Sequence, residues 1–338
     1  MTLTILKSKL SKYWIFIFFG GFFVLFVLLY LAFNPTKTTQ PKSESQVSIP
    51  QNSIPENNPF VNKPQKYQIT NDVQSFSVPT QTFSLTVTNI PADITKIAQV
   101  FDFNPTDFKE LLTDIGPRKI FIDQNRTLGI DNLSITYRNP QNKSGTNDLN
   151  SIKLLAKNIL QSISQKTTLN LSEPEFYSST SMSDQPIKSF QESDIVIFKI
   201  LTTVNNLALG TDKTPDISVG TISFDHSGNV LGFNLVTTDY IIKDTISLIP
   251  AESAIAKLIN NQSSVIQTQK LSGTKTEEED FQVINYKSIK IDTVEVAYFF
   301  PTTKNAQTVF PFYIFSGIAT SNNDQEYKIS LTVEAVTN

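Results

Sequence analysis

Residues 327–336, YKISLTVEAV, set Tyr327, Ile329, Leu331, Val333 and Ala335 at alternate positions, with Lys328, Ser330, Thr332 and Glu334 between them. Side chains point to opposite faces along a strand, so this spacing predicts one packed face and one wetted face, the habit of antiparallel sheets. Two long stretches before it read the same way: 286–300 (YKSIKIDTVEVAYFF) and 308–320 (TVFPFYIFSGIAT). Further upstream, 217–225 (ISVGTISFD) and 230–238 (VLGFNLVTT) flank His226-Ser227-Gly228-Asn229, which predicts a hairpin. Ile195 and Ile197, with Leu201 to Val204 following, predict one more strand.

Helical spacing is scarcer. Ile94, Ile97, Ala98 and Phe101 follow Pro91 at i, i+3, i+4 and i+7. The loop 141–148 ends in a capping residue, Asn147 or Asp148, before a helix with Ile152, Leu155, Ala156, Ile159 and Ile163 on one face. Pro250 opens a third helix with Ala254, Ile255, Leu258 and Ile259 apolar, and a short helical stretch is expected around Phe108–Leu112. Between these, Phe76 and Val78, then Phe83, Leu85 and Val87, alternate as strands do. Residues 118–123 and 129–138 read as two strands of a meander. Strands with a few segregated helices define an α+β protein of mainly antiparallel sheets. Two lobes are expected, 67–148 and 149–338.

The N-terminal region has a different character. Residues 14–33 (WIFIFFGGFFVLFVLLYLAF) form an uncharged apolar run. At about 1.5 Å per residue it spans the roughly 30 Å of a bilayer's hydrocarbon core. Lys7, Lys9 and Lys12 precede it with no acidic residue, so residues 1–12 are expected in the cytoplasm and 13–33 as a single transmembrane helix. Bulky Tyr30 would occupy the −3 position of cleavage after Ala32, which argues for a retained anchor rather than a removed signal. Residues 34–66 hold six of the 17 prolines and no periodic apolar pattern, and are expected to be a disordered linker. Beyond residue 33 the chain carries 25 basic and 31 acidic residues, a net charge of −6. That balance leaves no electrostatic footprint for nucleic acid. The absence of cysteine excludes disulfides, thiol nucleophiles and Cys-type zinc sites.

Candidate chemistry is sparse. His226 is the only histidine, and Asp225 and Ser227 flank it directly; adjacent residues in a tight turn diverge and cannot form a Ser-His-Asp relay. Glu277-Glu278-Glu279-Asp280 lacks the turn spacing of a calcium loop. Asp292 with Glu295, and Asp239 with Asp244, are the carboxylate pairs available for glycoside chemistry. Phosphate-binding loops, G-x-S-x-G and H-E-x-x-H motifs do not occur. No catalytic set, metal site or cofactor is expected. The binding candidates are Tyr298, Phe300, Phe310, Phe312, Tyr313 and Phe315, whose density on two strands puts aromatic rings on both faces. One face must be core; the other is either covered or an apolar patch for a partner.

Five segments recur in order: 204–210, 217–233, 248–262, 291–300 and 309–319. Together they resemble the extracytoplasmic domain of YycH/YycI-type membrane-tethered regulators and related PepSY-like modules of the bacterial envelope. Pro311, Tyr313, Phe315 and Gly317 match a strand pattern of that family, and Pro250, Glu252 and Ala254 match its helix start; Asn206 and Ala208 depart from it. The resemblance implies a non-enzymatic, single-pass regulatory module whose partner is a membrane or envelope protein such as a sensor kinase. Alternatives are a module binding cell-wall glycan or peptide, and an inhibitor or chaperone of an exported protease.

Overall fold

In the computed structural model, residues 61–336 are described apart from 65, 80–81, 90–91, 114–115, 164–167, 179–185, 212–216, 272–282 and 301–305. The expected membrane helix (13–33), most of the linker (34–60) and the acidic run 277–280 lie outside the described residues. Among the described residues no helix is long and apolar enough to cross a membrane. Mainly antiparallel sheets with a few helices make this an α+β protein.

The long C-terminal strands build the first sheet. Its order is β11 (Thr203–Val204), β12 (Leu207–Thr211), β17 (Ile284–Phe300), β19 (Pro311–Ser321), β20 (Glu326–Glu334) and β16 (Ser264–Lys270). The short strands β1 (Val61–Asn62) and β2 (Tyr67–Ile69) pair with β17 in parallel. A second sheet runs β4 (Lys109–Thr113), β5 (Gly116–Asp123), β6 (Arg126–Ile130), β7 (Ser134–Arg138), β14 (Val230–Val236), β13 (Gly220–Asp225), β10 (Ile195–Leu201) and β8 (Asn170–Leu171), with β9 (Glu175–Tyr177) also on β10. A third holds β15 (Thr238–Ile246), β3 (Thr82–Asn89) and β18 (Ala306–Val309). The helices are α1 (Asn71–Gln74), α2 (Ile94–Val100), α3 (Leu149–Ile163) and α4 (Ala251–Ile259).

One apolar core joins these layers, from Leu85 and Val87 on β3 through Ile152 and Ala156 on α3 to Tyr313 and Phe315 on β19. Asp148 caps α3 by accepting the Ser151 N–H at 2.8 Å, and Asp93 caps α2 through the Lys96 N–H at 3.1 Å. The expected turn 226–229 joins β13 to β14.

Several expectations are corrected. Residues 109–113 are a strand, not a helix: they pair with β5 at the sheet's edge and bury no face, leaving Leu112 83% exposed. Phe76 and Val78 follow α1 outside any strand, and Phe76 still packs edge-on against Tyr313 at 6.3 Å. The meander of 118–138 has three strands, because the expected strand 129–138 breaks at 131–133: residues 129 and 130 end β6, and 134–138 form β7. On α3, Leu160 is buried while Leu155 is exposed. On β10 the buried face is Val196, Phe198 and Ile200, with Ile195 and Ile197 on the half-buried side, and the strand breaks at Thr202.

The wetted face expected on β20 is covered at its middle, while Lys328 stays exposed and Glu334 half-buried. Ser330 and Thr332 are buried, and the Ser330 hydroxyl lies 2.9 Å from that of Ser316, so polar side chains on this face satisfy one another across strands. A second small cluster, Ala297, Phe299, Phe312 and Ile314, occupies the same side of the sheet.

Two boundaries move. Residues 61–66, expected in the linker, belong to the folded part: Val61 is buried beside Ile284, and the Lys66 carbonyl accepts the Ile289 N–H at 3.2 Å. The sheets do not divide at residue 148, because β7 pairs with β14 from Ser134↔Val236 to Arg138↔Gly232 and β3 lies between β15 and β18. Ile49–Asn338 cluster as one compact unit.

Candidate functional site

Asp225, the last residue of β13, is fully buried, and its carboxylate meets four N–H groups. Oδ1 accepts from the backbone of Ser227 and of Asn229, each at 2.9 Å. Oδ2 accepts from the Lys143 backbone and from Asn229 Nδ2, also at 2.9 Å. Hydrogen bonds to an ionised acceptor are about twice as strong as neutral ones, so one carboxylate shapes the turn and ties the loop 139–148 to it. The Ser227 hydroxyl donates to the Ser144 carbonyl at 2.8 Å, and the Asn147 N–H donates to the His226 carbonyl at 3.0 Å. A β-carbon on Gly145 would lie 2.3 Å from the Ser227 backbone, so only glycine permits this approach.

His226 turns away from both sequence neighbours. Its ring stacks on Phe190 with centroids 4.3 Å apart, and Nε2 lies 3.2 Å from the Ser193 hydroxyl oxygen. Ser193 is buried and donates its own proton to the Phe190 carbonyl at 2.8 Å. With that proton committed, Oγ is the acceptor toward the imidazole, opposite to the polarity that makes a serine a nucleophile. The side chains of Asp225 and Ser227 thus hold the turn and the loop 139–148, while the His226 ring packs elsewhere, on Phe190 and Ser193. Ser193 and Phe190 carry no sequence signal toward His226; they stand 33 and 36 positions away.

A second cluster joins Lys63, which the sequence assigned to the linker, to Tyr67 and to residues just past α4. Lys63 Nζ donates to the carbonyls of Asn261, at 2.9 Å, and Ser263. Burial pulls the Lys63 ammonium below its usual range, and desolvation pushes the Tyr67 phenol up to about 12. The Tyr67 hydroxyl donates to Asn261 Oδ1 at 2.8 Å. A lysine of lowered pKa beside a serine is the pairing found in serine–lysine nucleophilic sites. Here the ammonium donates to backbone carbonyls just past the C-terminus of α4, where a cation is favoured, so it fastens β1 and β2 to that helix.

The six aromatic candidates are all interior, none more than 3% exposed. Tyr298, Phe300, Tyr313 and Phe315 enter the main core, Phe312 the cluster on the opposite face, and Phe310 the break between β18 and β19. The Tyr298 hydroxyl donates to the Phe83 carbonyl at 2.9 Å, and that of Tyr313 to the Ile249 carbonyl at 2.6 Å. Desolvation raises both phenols, Tyr313 to about 12, with the negative charge of Glu252 adding to the latter. An exposed aromatic patch on these strands is therefore corrected: a ligand would have to displace core side chains to reach the rings.

The strand geometry holds one carboxylate pair apart and leaves the other on the surface. Asp239 and Asp244 lie five residues apart on β15, roughly 16 Å along an extended chain, against the roughly 5–9.5 Å that glycoside chemistry needs. Asp292 and Glu295 stand exposed on β17, either side of Thr293 and Val294. Among the described residues no group of three or more His, Cys, Asp or Glu side chains could hold a metal ion.

No protein-family model matches the chain, and comparison with curated proteins finds no match.

Proposed function

We propose that the chain is a membrane-anchored, extracytoplasmic binding and regulatory module that acts through protein contacts rather than catalysis. The observation that carries the reading is the apolar run 14–33 behind Lys7, Lys9 and Lys12, which makes residues 13–33 a single-pass anchor with residues 1–12 in the cytoplasm. Residues 34–60 then form a proline-rich stalk, and the α+β part stands outside the membrane. The YycH/YycI-like order of segments favours a membrane or envelope protein, such as a sensor kinase, as the partner. The mildly acidic balance beyond residue 33 supports a protein partner over nucleic acid. The glycan-binding alternative loses its supporting residues, because its aromatic rings are core.

Cross-linking the tagged full-length protein in intact membranes, followed by mass spectrometry, tests this. The expected result is retention in the membrane after alkaline carbonate washing and recovery of a membrane protein cross-linked to the folded part. Release by carbonate overturns the anchor. Recovery of secreted or wall proteins alone overturns the regulatory partner.

A further inference from the structure

β15 is the outermost strand of the third sheet and pairs through one edge only, with β3, among the described residues. Residues 241–245 are exposed, with Ile241 at 55% and Ile242 at 42%. An edge strand offers a row of backbone donors and acceptors to any strand that can lie beside it, and proteins protect such edges with charges or bulges. This edge has both devices. Lys243 is exposed on it, and the register with β3 shifts between Ile242 and Thr245.

We propose that β15 is a self-association edge whose occupant is β15 of a second copy, antiparallel, with the two-fold axis at Ile241. The residues themselves select the copy and the register. Placing Ile241 opposite the partner's Ile241 sets Asp239 against the partner's Lys243, and Lys243 against the partner's Asp239. Tyr240 then faces the partner's Ile242 twice. Apolar and opposite-charge pairs are the ones that stabilise cross-strand neighbours. Moving the axis by half a residue, to lie between Ile241 and Ile242, opposes Asp239 to the partner's Asp244 and loses both ion pairs. A strand bringing no acid opposite Lys243 is repelled by that ammonium or must desolvate it, so the edge lysine discriminates for the copy.

The side facing away from the core agrees. Thr308 on β18 lies opposite Thr86 on β3, and Thr86 opposite Ile241 on β15. Pairing at Ile241 continues this row of β-branched residues across the axis and gives a six-stranded sheet, β18-β3-β15 doubled. Two other outer strands are less suited: β4 (KELLT), centred on Leu111, pairs Glu110 with leucine, and β16 (SVIQTQK) contains no acid.

The chain has no cysteine, so a single introduced thiol reports on one position. Opposed residues in an antiparallel pair have Cα atoms roughly 4.5–5.5 Å apart, within disulfide reach. In full-length protein in detergent, Ile241→Cys should form a disulfide-linked dimer on mild oxidation. Thr245→Cys, four residues off the axis and roughly 26 Å from its copy, should not. Adding Lys243→Glu to Ile241→Cys should slow cross-linking by about tenfold, the effect of losing about 1.4 kcal/mol over two charge pairs. Further adding Asp239→Lys should restore it, since the swapped charges again complement. Circular dichroism of each variant checks that it is folded. Equal cross-linking at 241 and 245, none at 241 in a folded protein, or no response to the charge changes would overturn the proposal.

Discussion

Asp225 shows how much one side chain settles. Four N–H donors converge on its carboxylate. Asp225→Asn replaces one acceptor oxygen by a donor among donors. It should lower unfolding stability by about 3 kcal/mol, read as a fall in the urea midpoint at unchanged slope. Tyr313 acts at the same scale. Its phenol is held up to about 12 by burial and then by Glu252, whereas the unfolded chain ionises near its ordinary value of 10. The folded state therefore keeps a proton that the unfolded state loses, so this contribution is intact below pH 10 and disappears as pH rises toward 12. Tyr67 and Tyr286, both raised to about 12, act in the same window. Melting temperature measured from pH 9 to 12 should fall above 10, and Tyr313→Phe should reduce the slope. Tyrosine burial can be anticipated from strand periodicity; the carbonyl that each hydroxyl reaches cannot, because Ile249 lies 64 positions from Tyr313.

Among elements, β19 and β4 mark the extremes. Phe312 and Phe315 point to opposite faces of β19 and both are buried. Phe312→Ala should cost about 3–5 kcal/mol by chemical denaturation, the range for removing a buried ring. A ring serving only as a binding platform would leave stability nearly unchanged, so the measurement separates core from surface. On β4, Leu112→Asp should change stability by less than about 0.5 kcal/mol, because that side chain is exposed and the backbone pairing with β5 remains. The helices were legible to different depths. The cap of α3 is local chemistry, a side-chain oxygen three residues before a backbone N–H, so the sequence narrowed it to Asn147 or Asp148 and the structure chose Asp148. The exchange of Leu155 for Leu160 could not, because a helical stripe carries two or three adjacent apolar rows and the neighbouring elements choose among them.

Across the whole molecule, residues 61–69 form its N-terminal seam. β1 and β2 run along β17, and Lys63 and Tyr67 bond to Asn261 beyond α4. A chain starting at residue 67 should melt several degrees below one starting at 49, by differential scanning calorimetry, since it loses β1 and the lysine contact while keeping every other strand. Lys63→Met should account for part of that difference.

The amino-acid sequence by itself determined the α+β class, the hairpin at 226–229, three of the helices and the three long C-terminal strands, because periodicity and turn chemistry are properties of neighbouring residues. Only the tertiary structure decided that β7 pairs with β14 across residue 148, that Ser330 and Thr332 on the polar face of β20 are covered, that His226 meets Ser193, and that all six aromatic candidates are core. Each of these depends on which distant segment lies against a strand or a ring. That choice follows from packing summed over the whole chain, so no local pattern encodes it.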